Sequence, residues 1–248
     1  VGYLTQVLPV GTVAAVVALG VVLTAVAVLG VLESLALAAL FTVIEVGGLV
    51  LVIWAGASAA LSADILAPGP LALAGVGVGA VLAFFAFIGF EDIVNMAEEV
   101  ERPQRNLPRA ILISLVITSA LYAAVTWAAV RAVPLADLAA SDSPLVLVWR
   151  ASGQGSGHFL SAIAVFAALN GVLAQIVMAA RVLFGLGRRT AALAIFHQAH
   201  PRFGTPVLAT VLVGVLVTLA SALVPLITLA GLTSSILLAV FVLVNLAL

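Results

Sequence analysis

Cysteine and lysine are both missing from the 248-residue chain. The first absence excludes disulfides and thiolate metal sites. The second excludes a retinal Schiff base, which needs that amine, and with it a light-driven pump. Charge of either sign is sparse: 8% of residues are charged and the formal net charge is −1. Nothing there suits nucleic acid. No nucleophile stands beside a base, so the chain is expected not to be an enzyme, and no cofactor is expected. The run GVGVG (Gly75 to Gly79) lacks the strand and spacing of a nucleotide loop. His197 and His200 have no Cys or carboxylate company, so no metal site is expected. No charged-then-apolar leader precedes the first apolar run, which argues against a signal peptide. The chain opens on Val1, and Leu248 closes an apolar run without a polar tail. The expectation is a single transmembrane domain over 1–248, truncated at both ends.

What is present is apolar. Hydrophobic residues make up 65% of the chain, too many for a soluble domain. A hydrocarbon core ~30 Å thick needs about 20 residues of helix at ~1.5 Å each. That criterion places seven apolar segments, at 10–31, 36–57, 73–97, 108–130, 158–186, 206–224 and 226–248. The expected fold class is therefore an all-α integral membrane protein with about seven transmembrane helices. All ten prolines fall at or between these boundaries, where a residue that ends or opens helices belongs. Orientation follows from arginine. With the loops after spans 1, 3 and 5 inside, seven arginines lie in the cytoplasm and only Arg131 and Arg150 outside. Faces of small residues, such as Gly20, Thr24 and Ala27, suit close helix packing.

The stretch FFAFIGFED (Phe84 to Asp92) organises the rest. It puts Gly89 and two adjacent carboxylates, Glu91 and Asp92, near the middle of an apolar run. Acids near membrane depth cost several kcal/mol and are seldom idle. A helix that unwinds near Gly89 accounts for them. Either acid then caps the second half-helix, and the first ends with free carbonyls aimed at the same point. Broken helices of this kind build midplane substrate sites in secondary transporters. Glu45 sits mid-span with Thr42 and Gly48 on its face. An isolated carboxylate there costs ~3 kcal/mol on insertion scales, so it calls for a proton, a partner or a wet cavity.

The segment FFAFIGFEDIVNMAEEVERPQRNLPRAI (Phe84 to Ile111) resembles the sixth helix and following loop of the amino acid–polyamine–organocation permease superfamily. LFTVIEVGGLVLVI, AALNGVLAQIVMAARVLFGLGR and HPRFGTP agree with it in family order. The resemblance implies helices four to ten of a 5+5 inverted-repeat transporter fold. Residues 1–57 would end the first repeat, and 73–248, with the broken helix at 73–97, would form the second. It implies an amino acid permease of the cell membrane, multi-pass, working by alternating access with proton coupling or exchange. Its partners would be an amino acid or related amine, protons and the lipid bilayer. The carbonyls of Phe85, Ala86 and Ile88 would bind the substrate ammonium, Gly89 would permit the unwinding, and Phe90 would cover the substrate. Glu45, Glu91, Asp92 and Asn170 would serve coupling or gating. Interhelical hydrogen bonding is the plainer role for Asn170 and for Gln175. The family's first helix carries a Gly-Ser-Gly-Ile-type break that binds the substrate carboxylate, and no stretch here matches it. A seven-helix receptor and a non-transporting structural remnant are the alternative readings.

Overall fold

The computed structural model describes residues 11–30, 35–66, 73–90, 92–95 and 100–247. In chain order the helices are α1 (Thr12–Leu29), α2 (Leu35–Ser58), α3 (Ala63–Leu66), α4 (Leu73–Phe87), α5 (Asp92–Asn95) and α6 (Pro103–Ala132). They continue with α7 (Leu135–Ala140), α8 (Pro144–Ala151), α9 (His158–Arg189), a 3₁₀ helix (Ala191–Phe196), α10 (Val207–Leu223) and α11 (Leu226–Ala247). No strand occurs among the described residues. Five helices are long and apolar enough to cross a membrane: α1, α2 over Ala39–Ser58, α6, α9 and α11. The fold is that of an all-α, multi-pass membrane protein.

The two other expected spans appear as α10, with 17 residues, and as the expected broken helix, whose first half α4 has 15. Two expectations need correction. Pro108, expected at a boundary, lies inside α6. The helix starts a turn earlier because Pro103 takes its first position and Arg102 O accepts the N–H groups of both Arg105 and Asn106 at 3.0 Å. Finally, the expected loop from Arg131 to Gly157 is largely helical, as α7 and α8.

The chain divides into two compact units, Val1–Leu66 with Val125–Leu223 and Ala67–Ala124 with Val224–Leu248. In the first, α1 and α10 pack most closely, through a reciprocal notch. A Cβ at Gly20 would meet Thr218 Cγ2 at 2.8 Å, and one at Gly214 would meet Thr24 Cγ2 at 2.6 Å. Both threonines turn their hydroxyls back to their own helix, Thr24 Oγ1 to Gly20 O and Thr218 Oγ1 to Gly214 O. Hydroxyl and methyl of each threonine together fill the space at the opposing glycine, the hydroxyl oxygen lying nearest. Helix α9 covers this pair with Leu173 and Ile176, which are buried with Leu23 and Ala27. A second core joins Val52 and Ala55 of α2 to Val146 and Trp149 of α8. Trp149 anchors it, edge-on to Phe159 at 4.9 Å and donating from Nε1 to Gln154 O. Arg131 closes the end of α2. Its Nη1 donates to Gly56 O at 2.7 Å and Ala59 O at 2.8 Å, satisfying carbonyls a helix end leaves open.

In the second unit α11 packs along α4. Ser234, fully buried, donates to Val81 O at 3.1 Å. Further along the same two helices, the rings of Phe84 and Phe241 meet edge to face at 6.3 Å.

Candidate functional site

Helix α4 stops at Phe87, residues 88–90 form a turn, and α5 starts at Asp92. Gly89 has φ +122°, a conformation that side chains oppose, while nothing lies within 4 Å of where its Cβ would stand. Glycine is therefore required here for its backbone freedom and not for space. The C-terminal end of α4 carries the negative pole of the helix dipole, so a cation is the ligand it favours.

The last carbonyls of α4 are partly engaged. Phe85 O accepts the Ile88 N–H at 3.2 Å, and Ala86 O accepts the hydroxyl of Tyr122 at 2.8 Å. Each carbonyl oxygen has two lone pairs, so one internal bond does not exclude a ligand. Beside the turn lies an open cleft of about 290 Å³, near the lower limit for small-molecule sites. One wall is the segment 86–90, and the other is α6 with Ser114, Thr118 and Tyr122. These three polar side chains recur every four residues and share one face of α6. Sequence reasoning missed them, although S-x-x-x-T-x-x-x-Y inside an apolar span was a readable signal. Tyr122 also packs edge-on to Phe87 at 5.2 Å.

Of the expected substrate residues, Ala86, Ile88, Gly89 and Phe90 line the cleft together. Phe85 does not line it, and Phe87 takes its place. Glu91 lies outside the described residues, as does the side chain of Asp92, whose backbone opens α5. Glu98 and Glu99 of the charged loop are likewise outside them. In the first unit, Glu45 and Asn170 are half-buried and joined by a long hydrogen bond, Nδ2 to Oε1 at 3.5 Å. The pair is reachable because α2 is thin at Gly48, where a Cβ would meet Ile163 of α9 at 3.0 Å. Gln175 is exposed on α9.

The sequence pattern of the family described as amino acid permease matches residues 5–248. A branched-chain amino acid permease of Bacillus subtilis is 34% identical over 179 residues, 72% of this chain and 38% of that protein. The methylthioribose transporter of the same organism is 31% identical over 179 residues, covering 72% and 39%. A vacuolar cationic amino acid transporter of Arabidopsis thaliana is 33% identical over 148 residues, 59% of this chain and 24% of that one. The chain thus spans about two fifths, or less, of the length of these relatives. A match that covers almost every residue, on a chain of apolar helices interrupted at Gly89, leaves one conclusion: the chain belongs to the amino acid permease family.

Proposed function

We propose that this chain supplies the ammonium-binding half of a secondary transporter for amino acids or related amines. The observation that carries the reading is the end of α4, where the chain leaves the helix through a glycine at φ +122° and residues 86–90 line a cleft. A helix C-terminus offers acceptors and partial negative charge, the complement of an ammonium. Ala86, Ile88 and Gly89 form the acceptor side, with Phe85 one residue behind, and Phe90 is the gate. Glu45, held by Asn170, is the coupling group, with Glu91 and Asp92 as further gating acids. In this reading residues 1–57 end one inverted repeat and 73–248 form the other. The reciprocal fit of α1 and α10 supports that symmetry. Amino acid permeases among the relatives support the substrate class and a role that is transport and not catalysis. Placement in the cell membrane, with proton coupling or exchange, completes the proposal.

The Gly-Ser-Gly-Ile-type break that the family resemblance gives as the carboxylate site has no match in this sequence. Binding one end alone forfeits charge-assisted bonds worth ~1.5–3 kcal/mol each, roughly ten- to hundredfold in affinity per bond. The test is uptake into liposomes under an imposed proton gradient. The chain by itself should accumulate no labelled amino acid. Put in place of the matching segment of the Bacillus subtilis branched-chain permease, it should restore uptake that Gly89→Ala weakens. Uptake indifferent to Gly89→Ala would dismiss the break as the site. No uptake from a well-folded chimera would leave a structural remnant.

A further inference from the structure

We propose that Phe241 is a positioning residue that fixes the ring of Phe90, so that α11 holds the gate across the break in α4. The proposal rests on the reading of Phe90 as gate. Phe241 reaches both sides of the break. Its ring lies 6.3 Å from Phe84, in the last turn of α4, and 5.8 Å from Phe90, beyond the helix end. Phe90 lines the cleft, whereas Phe241 and Phe84 do not. Phe241 therefore stands behind the gate without meeting the ligand.

The geometry explains why such a brace is needed. Residues 88–90 form a turn between α4 and α5, so Phe90 is not set within a helix. Gly89, next to it, is the least restrained residue the chain can use. The Ile93 N–H donates to the Phe90 carbonyl at 3.3 Å, a backbone bond that does not orient the ring. Ring contact with Phe241 orients it. Helix α11 can supply it because it is itself locked to α4: buried Ser234 donates to Val81 O, and Phe241 lies two turns further along the same helix. Aromatic pairs at these separations prefer edge-to-face or offset angles, so one ring dictates the orientation of the next. Phe84 sets Phe241 at 81°, and Phe241 meets Phe90 at 47°. A gate held this way sits in one orientation until α11 and α4 shift against each other.

Two measurements test it. The first uses the full chain in lipid nanodiscs with 4-fluorophenylalanine at position 90, read by fluorine NMR. One sharp resonance is expected with Phe241 present. In Phe241→Leu it should broaden or split, and in Phe241→Tyr, which keeps the ring, it should stay single. An unchanged single resonance in Phe241→Leu overturns the proposal. The second is uptake by the chimera described above. Phe241→Leu is expected to lower apparent affinity ~3- to 10-fold, and Phe241→Tyr to restore it. Phe90→Leu should impair uptake as well, and the double variant should be no worse than the more impaired single. If Phe90→Leu transports normally, the gate reading fails. If Phe90→Leu is impaired while Phe241→Leu is not, the brace alone fails.

Discussion

The hydroxyl of Tyr122 donates to the carbonyl of Ala86 at 2.8 Å, tying α6 to α4 one residue before α4 ends. This bond fixes the direction of a carbonyl that borders the cleft. It also shows how the two walls are kept in register, since Tyr122 packs on Phe87 with its ring while its oxygen holds Ala86.

Tyr122→Phe keeps the ring contact and removes the bond alone. A neutral hydrogen bond contributes ~0.5–1.5 kcal/mol net, so apparent substrate affinity of the chimera should fall ~2- to 12-fold. Helicity and folding yield should not change. Concentration dependence of uptake is the readout, and an affinity equal to that of the unsubstituted protein would remove Tyr122 from the site.

The notch between α1 and α10 makes a pairwise prediction. Gly20→Ala places a Cβ against Thr218 and should cost ~1–3 kcal/mol, the usual range for overpacking. Adding Thr218→Gly should recover most of that loss. Thr24→Gly should not, because Thr24 faces Gly214 instead. Reversible unfolding in mixed micelles gives the three numbers, and equal rescue by both glycines would contradict the pairing.

Glu45 Oε1 accepts a long hydrogen bond from Asn170 Nδ2 at 3.5 Å. In the chimera, Glu45→Gln should flatten the pH dependence of net uptake and leave counterflow exchange within about twofold. Asn170→Ala, which frees the carboxylate from its partner, should displace the pH profile without flattening it. Both variants following the unsubstituted profile would return the pair to a packing role between α2 and α9, the ordinary use of interhelical polar contacts.

Arginine bias orients the chain, and the lack of native cysteine makes the orientation easy to read. Gln154, Gln104 and Gln198 are exposed. Single cysteines at these sites, treated with an impermeant thiol reagent on right-side-out membranes, should label only at 154. Labelling at 104 would reverse the topology.

Much of this was legible in the sequence for identifiable reasons. Long apolar runs punctuated by proline give membrane helices almost by counting, and a glycine followed by two acids in such a run marks a break. The misses have equally physical causes. Pro108 was read as a boundary because hydropathy falls at Arg102–Arg109, but helix formation there depends on backbone bonds to Arg102 O, which hydropathy does not see. The helices α7 and α8 escaped because six and eight residues are too short to show a helical period, and α8 is held by burying Val146 and Trp149 against α2. Tyr122 and Phe241 could not be placed at the break, since their partners lie far away in sequence and only the packing of α6 and α11 brings them there. Phe87, which the resemblance did not single out, lines the cleft as well.

The most direct test of the central claim, that the end of α4 binds an ammonium, is competition by substrate analogues in the chimera before and after Gly89→Ala. The amino acid that is taken up best should compete at least tenfold more strongly than its des-amino carboxylic acid, since a charge-assisted hydrogen bond contributes ~1.5–3 kcal/mol. Gly89→Ala adds a Cβ that touches nothing but opposes φ +122°, so only the backbone conformation of the turn is disturbed. It should erase that discrimination, whereas Gly77→Ala, a substitution inside α4 with equal room, should preserve it. Full discrimination between amine and des-amino analogue in Gly89→Ala would contradict the account.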